Sequence, residues 1–208
     1  MSLRTVVALA LLLTACTEES STEAAPDAEA VTTAELAEPA EPGLVIDLGS
    51  DADDSWIAVN DTVMGGVSVG DVVYTDSTLV FEGVVSTANN GGFASVRSAS
   101  GEWDLSDFDT VLVRMRSQGQ PFDLVMDDNM GWWDGEFRYA LDTTDGEWVD
   151  LEIPLKDFGF HDFSTGYPEP TGERMRRPDR KNVATIQFMS ALFEDGDFLL
   201  EVDHVAFR

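Results

Sequence analysis

Thr110-Val111-Leu112-Val113-Arg114-Met115-Arg116 places Val111, Val113 and Met115 at alternate positions, with Leu112, Arg114 and Arg116 between them. Successive side chains of a strand point to opposite faces, so a period of two gives one face to a core and the other to water. The same period returns along the chain. Phe122, Leu124 and Met126 oppose Asp123 and Asp127; Val149, Leu151 and Ile153 oppose Asp150 and Glu152; Phe198, Leu200 and Val202 oppose Glu201 and Asp203. Ala94 and Val96 likewise oppose Ser95 and Arg97. Strands are expected over 44–48, 72–75, 78–86, 92–98, 110–116, 122–127, 136–141, 148–153, 184–189 and 198–207, divided by turn clusters such as Thr144-Asp145-Gly146 and Glu194-Asp195-Gly196. No long segment has the helical period, although Pro154 could open a short turn of helix running to Phe158. Many short strands at close spacing predict an all-β fold, a β-sandwich or jelly roll.

The residues before these strands read differently. Met1-Ser2-Leu3-Arg4 leads into an apolar run from Val6 to Leu13 and then Thr14-Ala15-Cys16. One positive charge, a short apolar core and small residues before a cut site make residues 1–15 a secretory signal. Leu13-Thr14-Ala15-Cys16 resembles the lipobox of bacterial lipoproteins, and Cys16 is the single cysteine of the chain. Lipidation of Cys16 would anchor the protein to a membrane, each buried CH₂ adding about 0.8 kcal/mol. The expected location is the bacterial cell envelope, and the outer membrane if there are two, since Thr17 follows the cysteine. Residues 16–42 consist of Glu, Ala, Thr, Ser, Pro and similar residues after the cysteine, without Lys, Arg or an aromatic ring. Such a segment cannot bury enough apolar surface to order itself and reads as an acidic tether of roughly 25–30 Å at random-coil scaling. Residues 43–208 are then one domain with room for a sizeable core.

Acids outnumber bases by 40 to 12, for a formal net charge of −28. Phosphate recognition needs cations, so nucleic acid and anionic lipid surfaces are excluded as partners of the domain. Arg97, Arg114, Arg116 and Arg138 fall on the polar sides of their strands, where they serve as cross-strand ion pairs or as a polar binding face.

Several motifs suggest chemistry. Gly66-Val67-Ser68-Val69-Gly70 matches the G-x-S-x-G pattern of hydrolases, but that chemistry needs a helix after the serine together with a histidine and an acid. Here Asp71-Val72-Val73-Tyr74 reads as a strand, so Ser68 is assigned to a turn. Asp47, Asp51 and Asp53 are weak candidates for a Ca²⁺ site without the spacing of an EF-hand. Two distant histidines and no cysteine in the domain leave no zinc set, no other metal and no cofactor are expected, and no catalytic group is identified. Trp132 and Trp133, in a polar loop, are candidates for an exposed stacking platform.

Two glycine-centred segments complete the reading. Asn60-Asp61-Thr62-Val63-Met64-Gly65-Gly66-Val67-Ser68 and Asn89-Asn90-Gly91-Gly92-Phe93-Ala94-Ser95-Val96-Arg97 each set a Gly-Gly pair beside amide or carboxylate side chains. Together with Trp56, Phe81-x-Gly83, Gly146-Glu147-Trp148 and Ile153-Pro154-Leu155-x-x-Phe158, they resemble the complex I intermediate-associated protein 30 family in its bacterial form, over about residues 44–207. The segment 159–180 departs from the family pattern, with His161-Asp162 where an Arg-Gly pair is usual. The resemblance implies a galactose-binding-like β-sandwich and an assembly or chaperone-type role, as for members that help to build respiratory complex I. It supplies no catalytic residues. The expected function is therefore that of a non-enzymatic envelope lipoprotein binding a protein partner, with a carbohydrate-binding module as the alternative. The candidate binding surface comprises Asn60, Asp61, Met64, Gly65, Gly66, Ser68, Asn89, Asn90, Gly91, Gly92, Arg97, Arg114, Arg116, Trp132 and Trp133.

Overall fold

In a computed structural model of the chain, the described residues are 41–49, 56–128, 135–163, 169–190 and 193–208. Cys16, the tether up to residue 40, Asp51, Asp53, Trp132 and Trp133 lie outside them. The strands in chain order are β1 (Leu44–Asp47), β2 (Ile57–Asn60), β3 (Val69–Tyr74), β4 (Leu79–Val85), β5 (Ala94–Arg97), β6 (Thr110–Gly119), β7 (Phe122–Asp127), β8 (Glu136–Leu141), β9 (Val149–Pro154), β10 (Gly159–Asp162), β11 (Glu169–Arg174), β12 (Thr185–Ser190) and β13 (Gly196–Phe207). Between them lie short 3₁₀ turns, one of which, Leu155–Asp157, is the helical turn expected after Pro154. No helix among the described residues is long and apolar enough to cross a membrane.

The strands form two antiparallel sheets. The six-stranded sheet runs β3-β4-β13-β6-β9, and β1 also pairs with β13. β13 is its spine: one edge bonds β4 over Gly196–Val202 and then β1 over His204–Phe207, while the other edge bonds β6. The seven-stranded sheet runs β11-β10-β8-β7-β12-β5-β2. The expected alternation is what joins them. Val111, Val113 and Met115 of β6 face Phe122, Leu124 and Met126 of β7 across one apolar core. Phe81 and Phe198 from one sheet meet Phe122 from the other, with centroids 4.8 Å apart for Phe81–Phe198 and 5.7 Å for Phe122–Phe198, the latter edge-to-face. Each fully buried side chain of this size contributes roughly 1.5–3 kcal/mol by burial.

β2, β10 and β11 were not expected. All six residues of β11 are exposed, and its sequence includes Pro170 and Gly172. It is an edge strand made by backbone pairing with β10 alone, so no apolar period marks it.

Candidate functional site

The two Gly-Gly segments meet around one buried carboxylate. Asn60 ends β2, and the chain turns through the 3₁₀ stretch Asp61–Met64 to Gly65, which has φ 93°. Asp61 is 1% exposed. Its Oδ1 accepts the Ser68 N–H at 2.9 Å, and its Oδ2 accepts the Ser68 hydroxyl at 2.5 Å, the Gly92 N–H at 2.7 Å and the Phe93 N–H at 3.3 Å. A Cβ on Gly66 or on Gly91 would overlap this carboxyl, which is why glycine stands at both. Asp61 is therefore a staple between the segments, not a presented ligand group. Ser68 Oγ in turn accepts the Ser86 N–H at 2.9 Å. The serine is fully buried and runs straight into β3, without the helix that hydrolase chemistry requires.

The candidate surface thus divides. Asp61, Gly66, Ser68 and Gly92 are buried; Met64, Gly65, Asn89 and Asn90 are exposed. Asn89 and Asn90 both take φ 59°, a conformation that Asn tolerates better than most residues. Asn60 Nδ2 donates to the Gly70 carbonyl at 3.1 Å, while its Oδ1 is buried without a partner among the described residues. The arginines separate as well. Arg114 and Arg116 lie on the outer face of the six-stranded sheet, paired with Asp150 and Glu201, and Trp148 covers both guanidinium groups at 5.4 and 5.2 Å. Arg97 lies on the outer face of the other sheet. Alternation shows that a side chain points outward but not which sheet it leaves, so the four arginines cannot form a single surface. Asp47 closes a local turn, its Oδ1 accepting the Gly49 N–H at 2.8 Å. No group of three or more metal-type side chains gathers among the described residues.

The outer face of the seven-stranded sheet is where unusual chemistry concentrates. Register aligns Ile57, Arg97, Gln187, Val125, Arg138, Gly159 and Arg174 in one row across all seven strands. At 4.7–4.9 Å between strands, this row is roughly 28 Å long. Ser95, Met189 and Asp123 form the next row, and Glu136 lies opposite His161. These groups point outward, yet Gln187 is 1% exposed, Arg138 5% and Glu136 8%. Arg138 donates from Nε to Glu136 Oε1 at 2.7 Å and from Nη1 to Asp123 Oδ2 at 3.1 Å, with the Phe163 ring 5.5 Å from its Cζ. Arg97 Nε donates to Ser95 Oγ at 3.0 Å. Burial lowers the pKa of Arg97, while Glu136 and Asp127 act to raise it; burial raises that of Glu136 against the opposing pull of Arg138. Gln187 Nε2 donates to Thr185 Oγ1 at 3.2 Å, but Gln187 Oε1 is buried with no partner among the described residues, as is His161 Nδ1. The Arg138 end of the row opens into a cleft of ≈ 350 Å³ lined by Tyr139, His161, Glu173 and Arg174 among others.

Sequence reading did not single out Gln187, Glu136 or His161. The alternation of Thr185, Gln187 and Met189 with Ile186 and Phe188 was the available signal. His161 yields a direct test. Burial, and next Arg138, lower its pKa below the ordinary 6.5, with Asp123 and Glu169 opposing and Arg174 adding to the depression. The unfolded chain therefore binds a proton more readily than the native one. Stability from this group is complete above pH 6.5 and is lost as pH falls through the depressed value. Thermal melts between pH 7 and 5 are expected to show a shallower acid-side loss in His161→Asn than in the wild type; parallel curves would show that this histidine does not contribute.

Comparison with known proteins places this geometry. No curated protein matches the chain. Among solved structures, the family 11 carbohydrate-binding module from Clostridium thermocellum in complex with a beta-1,3-1,4-mixed-linked tetrasaccharide is similar at 16% identity and TM-score 0.54, covering 78% of this chain and 94% of that one. The family 11 module of the Clostridium thermocellum cellulosomal cellulase Lic26A-Cel5E is similar at 17% identity and TM-score 0.56, covering 78% and 92%. At such identity the likeness shows the fold alone, an all-β sandwich of the galactose-binding-like kind. The family model of complex I intermediate-associated protein 30 matches residues 46–202, which contain both glycine segments, the Asp61 staple and the polar row; the chain belongs to that family.

Proposed function

We propose that the domain is a non-catalytic binding module, held at the bacterial envelope through a lipidated Cys16, and that its ligand is a hydroxyl-rich chain of carbohydrate type lying along the polar row. The observation that carries this reading is the row itself, which lines up Arg97, Gln187, Arg138 and Arg174 on one outer face and opens beside Arg174 into the cleft lined by Tyr139, His161 and Glu173. Sugar hydroxyls accept from guanidinium groups, and a row roughly 28 Å long suits several linked rings. The shared fold with sugar-binding modules supports the same reading. The family's name associates its members with an intermediate of complex I, and a protein partner was the first expectation from the sequence.

Calorimetric titration of the full chain with mixed-linked and cell-wall oligosaccharides tests the proposal. Binding in the range of about 0.01–1 mM is expected for at least one of them. Arg174→Met, which removes an exposed guanidinium at the cleft, is expected to weaken it by about tenfold, the equivalent of about 1.4 kcal/mol. Absence of binding to every glycan, or equal binding by Arg174→Met, would reject a carbohydrate ligand at this face.

A further inference from the structure

The six-stranded sheet presents a different kind of surface at its β3 edge. Val67, Val69 and Val73 stand exposed at alternate positions along and just before β3, and Val84 of β4 is opposite Val69. Val69 is 56% exposed and Val84 46%. Val63 and Met64, at the tip of the turn fixed by Asp61, are exposed too. Single exposed aliphatic residues such as Val45 and Ile57 are ordinary, but a run gathered along one edge and one rigid turn marks an interaction surface.

Charge on the same face indicates what covers it. At the far side of this sheet the acids have cations: Asp150 has Arg114, Glu201 has Arg116, and Glu152 has Arg208. At the β3–β4 end, Asp71 lies directly opposite Glu82, and Asp197 of β13 lies opposite Val84. None of these three acids has an ion-pair partner among the described residues. Like charges directly opposite in a sheet are destabilising. The face therefore alternates uncovered valines with unneutralised carboxylates.

We infer that the outer face of β3–β4 docks a protein segment in which aliphatic residues alternate with Lys or Arg. The cations enter between Asp71, Glu82 and Asp197, and the aliphatic side chains cover Val69 and Val84. A second copy of this chain does not fit, because it would bring the same acids together. An anionic lipid surface is repelled for the same reason. This surface is on the other sheet from the polar row, so a sugar and a protein segment could be held at once.

The probe is a fluorescein-labelled peptide of five Lys-Val repeats, titrated by anisotropy with the full chain at about 0.15 M salt, where charges farther apart than about 8 Å are largely screened. A Lys-Ser peptide of equal charge is the control. The Lys-Val peptide is expected to bind at least about tenfold more tightly than the Lys-Ser peptide. The double variant V69S/V84S should erase that difference, and D71N/E82Q should weaken both peptides. Hydrogen exchange should show protection of β3 and β4. All four side chains are exposed, so the melting temperature should be nearly unchanged in V69S/V84S and unchanged or higher in D71N/E82Q, where a like-charge pair is removed, which separates loss of binding from loss of fold. Equal binding of the two peptides, wild-type preference in V69S/V84S, protection on the seven-stranded sheet instead, or sedimentation showing that the chain dimerises through Val69 and Val84 would each overturn the inference.

Discussion

Asp61→Ala is expected to destabilise the domain by about 4 kcal/mol, enough to unfold a large fraction of it if its stability is ordinary for its size. The reason is local and complete. One carboxylate satisfies the N–H groups of Ser68, Gly92 and Phe93 and the Ser68 hydroxyl, all in a site closed to water. Removing it strands these donors and leaves a void between Gly66 and Gly91. Asp61→Asn is expected to restore little. Oδ1 and Oδ2 both receive hydrogen bonds, so an amide must turn its NH₂ toward donors on one side. Urea denaturation of both variants measures this, with Ser68→Ala as a milder control that removes the hydroxyl, which donates to Asp61 and accepts from the Ser86 N–H. If Asp61→Asn proves as stable as the wild type, the carboxylate is not the staple described here.

Arg138→Met should cost about 3–5 kcal/mol, the usual consequence of leaving one member of a buried ion pair behind. The stranded group is Glu136, whose side chain is nearly as enclosed as that of Arg138. Burial already raises the Glu136 pKa, so without Arg138 the carboxyl would take up a proton on folding. The native state then binds more protons than the unfolded one, and stability falls as pH rises. The deficit of Arg138→Met should consequently grow from pH 5 to pH 8. The double variant Arg138→Met/Glu136→Gln should recover most of it, to within about 2 kcal/mol of the wild type, and lose the added pH dependence. Strict additivity of the two changes would show that the pair is not coupled.

The sandwich was legible because its strands carry their burial in a period of two. Val111, Val113 and Met115, or Phe198, Leu200 and Val202, announce a core face without any knowledge of neighbours. β11 was not legible, since Glu169–Arg174 buries nothing and exists by pairing with β10. Sheet membership was not legible either. Arg97 and Arg114 occupy equivalent positions in their alternations, yet they leave the sandwich on opposite sides because β5 pairs with β12 and β6 with β13. The glycine segments were visible as a signature, but their purpose was hidden: both glycines are needed because a carboxyl from residue 61 fills the place of a Cβ, a relation that appears only when residues 61 and 91 are brought together. The polar row is hidden for the same reason. Gln187, Val125 and Arg138 share it through register across three strands, and no spacing along the chain reveals register.

One consequence of the β13 spine concerns the order of events during synthesis. The strand that unites β1, β4 and β6 is the last in the chain among those described, so the N-terminal hairpin β3–β4 leaves the ribosome without the neighbour that completes its sheet. Phe81 waits in the same way for Phe198. Contacts of such long reach close slowly, and the early strands stay open in the meantime. A chain of this architecture keeps β3, β4 and Phe81 open until β13 is made, since the pairing of that strand is what locks the six-stranded sheet.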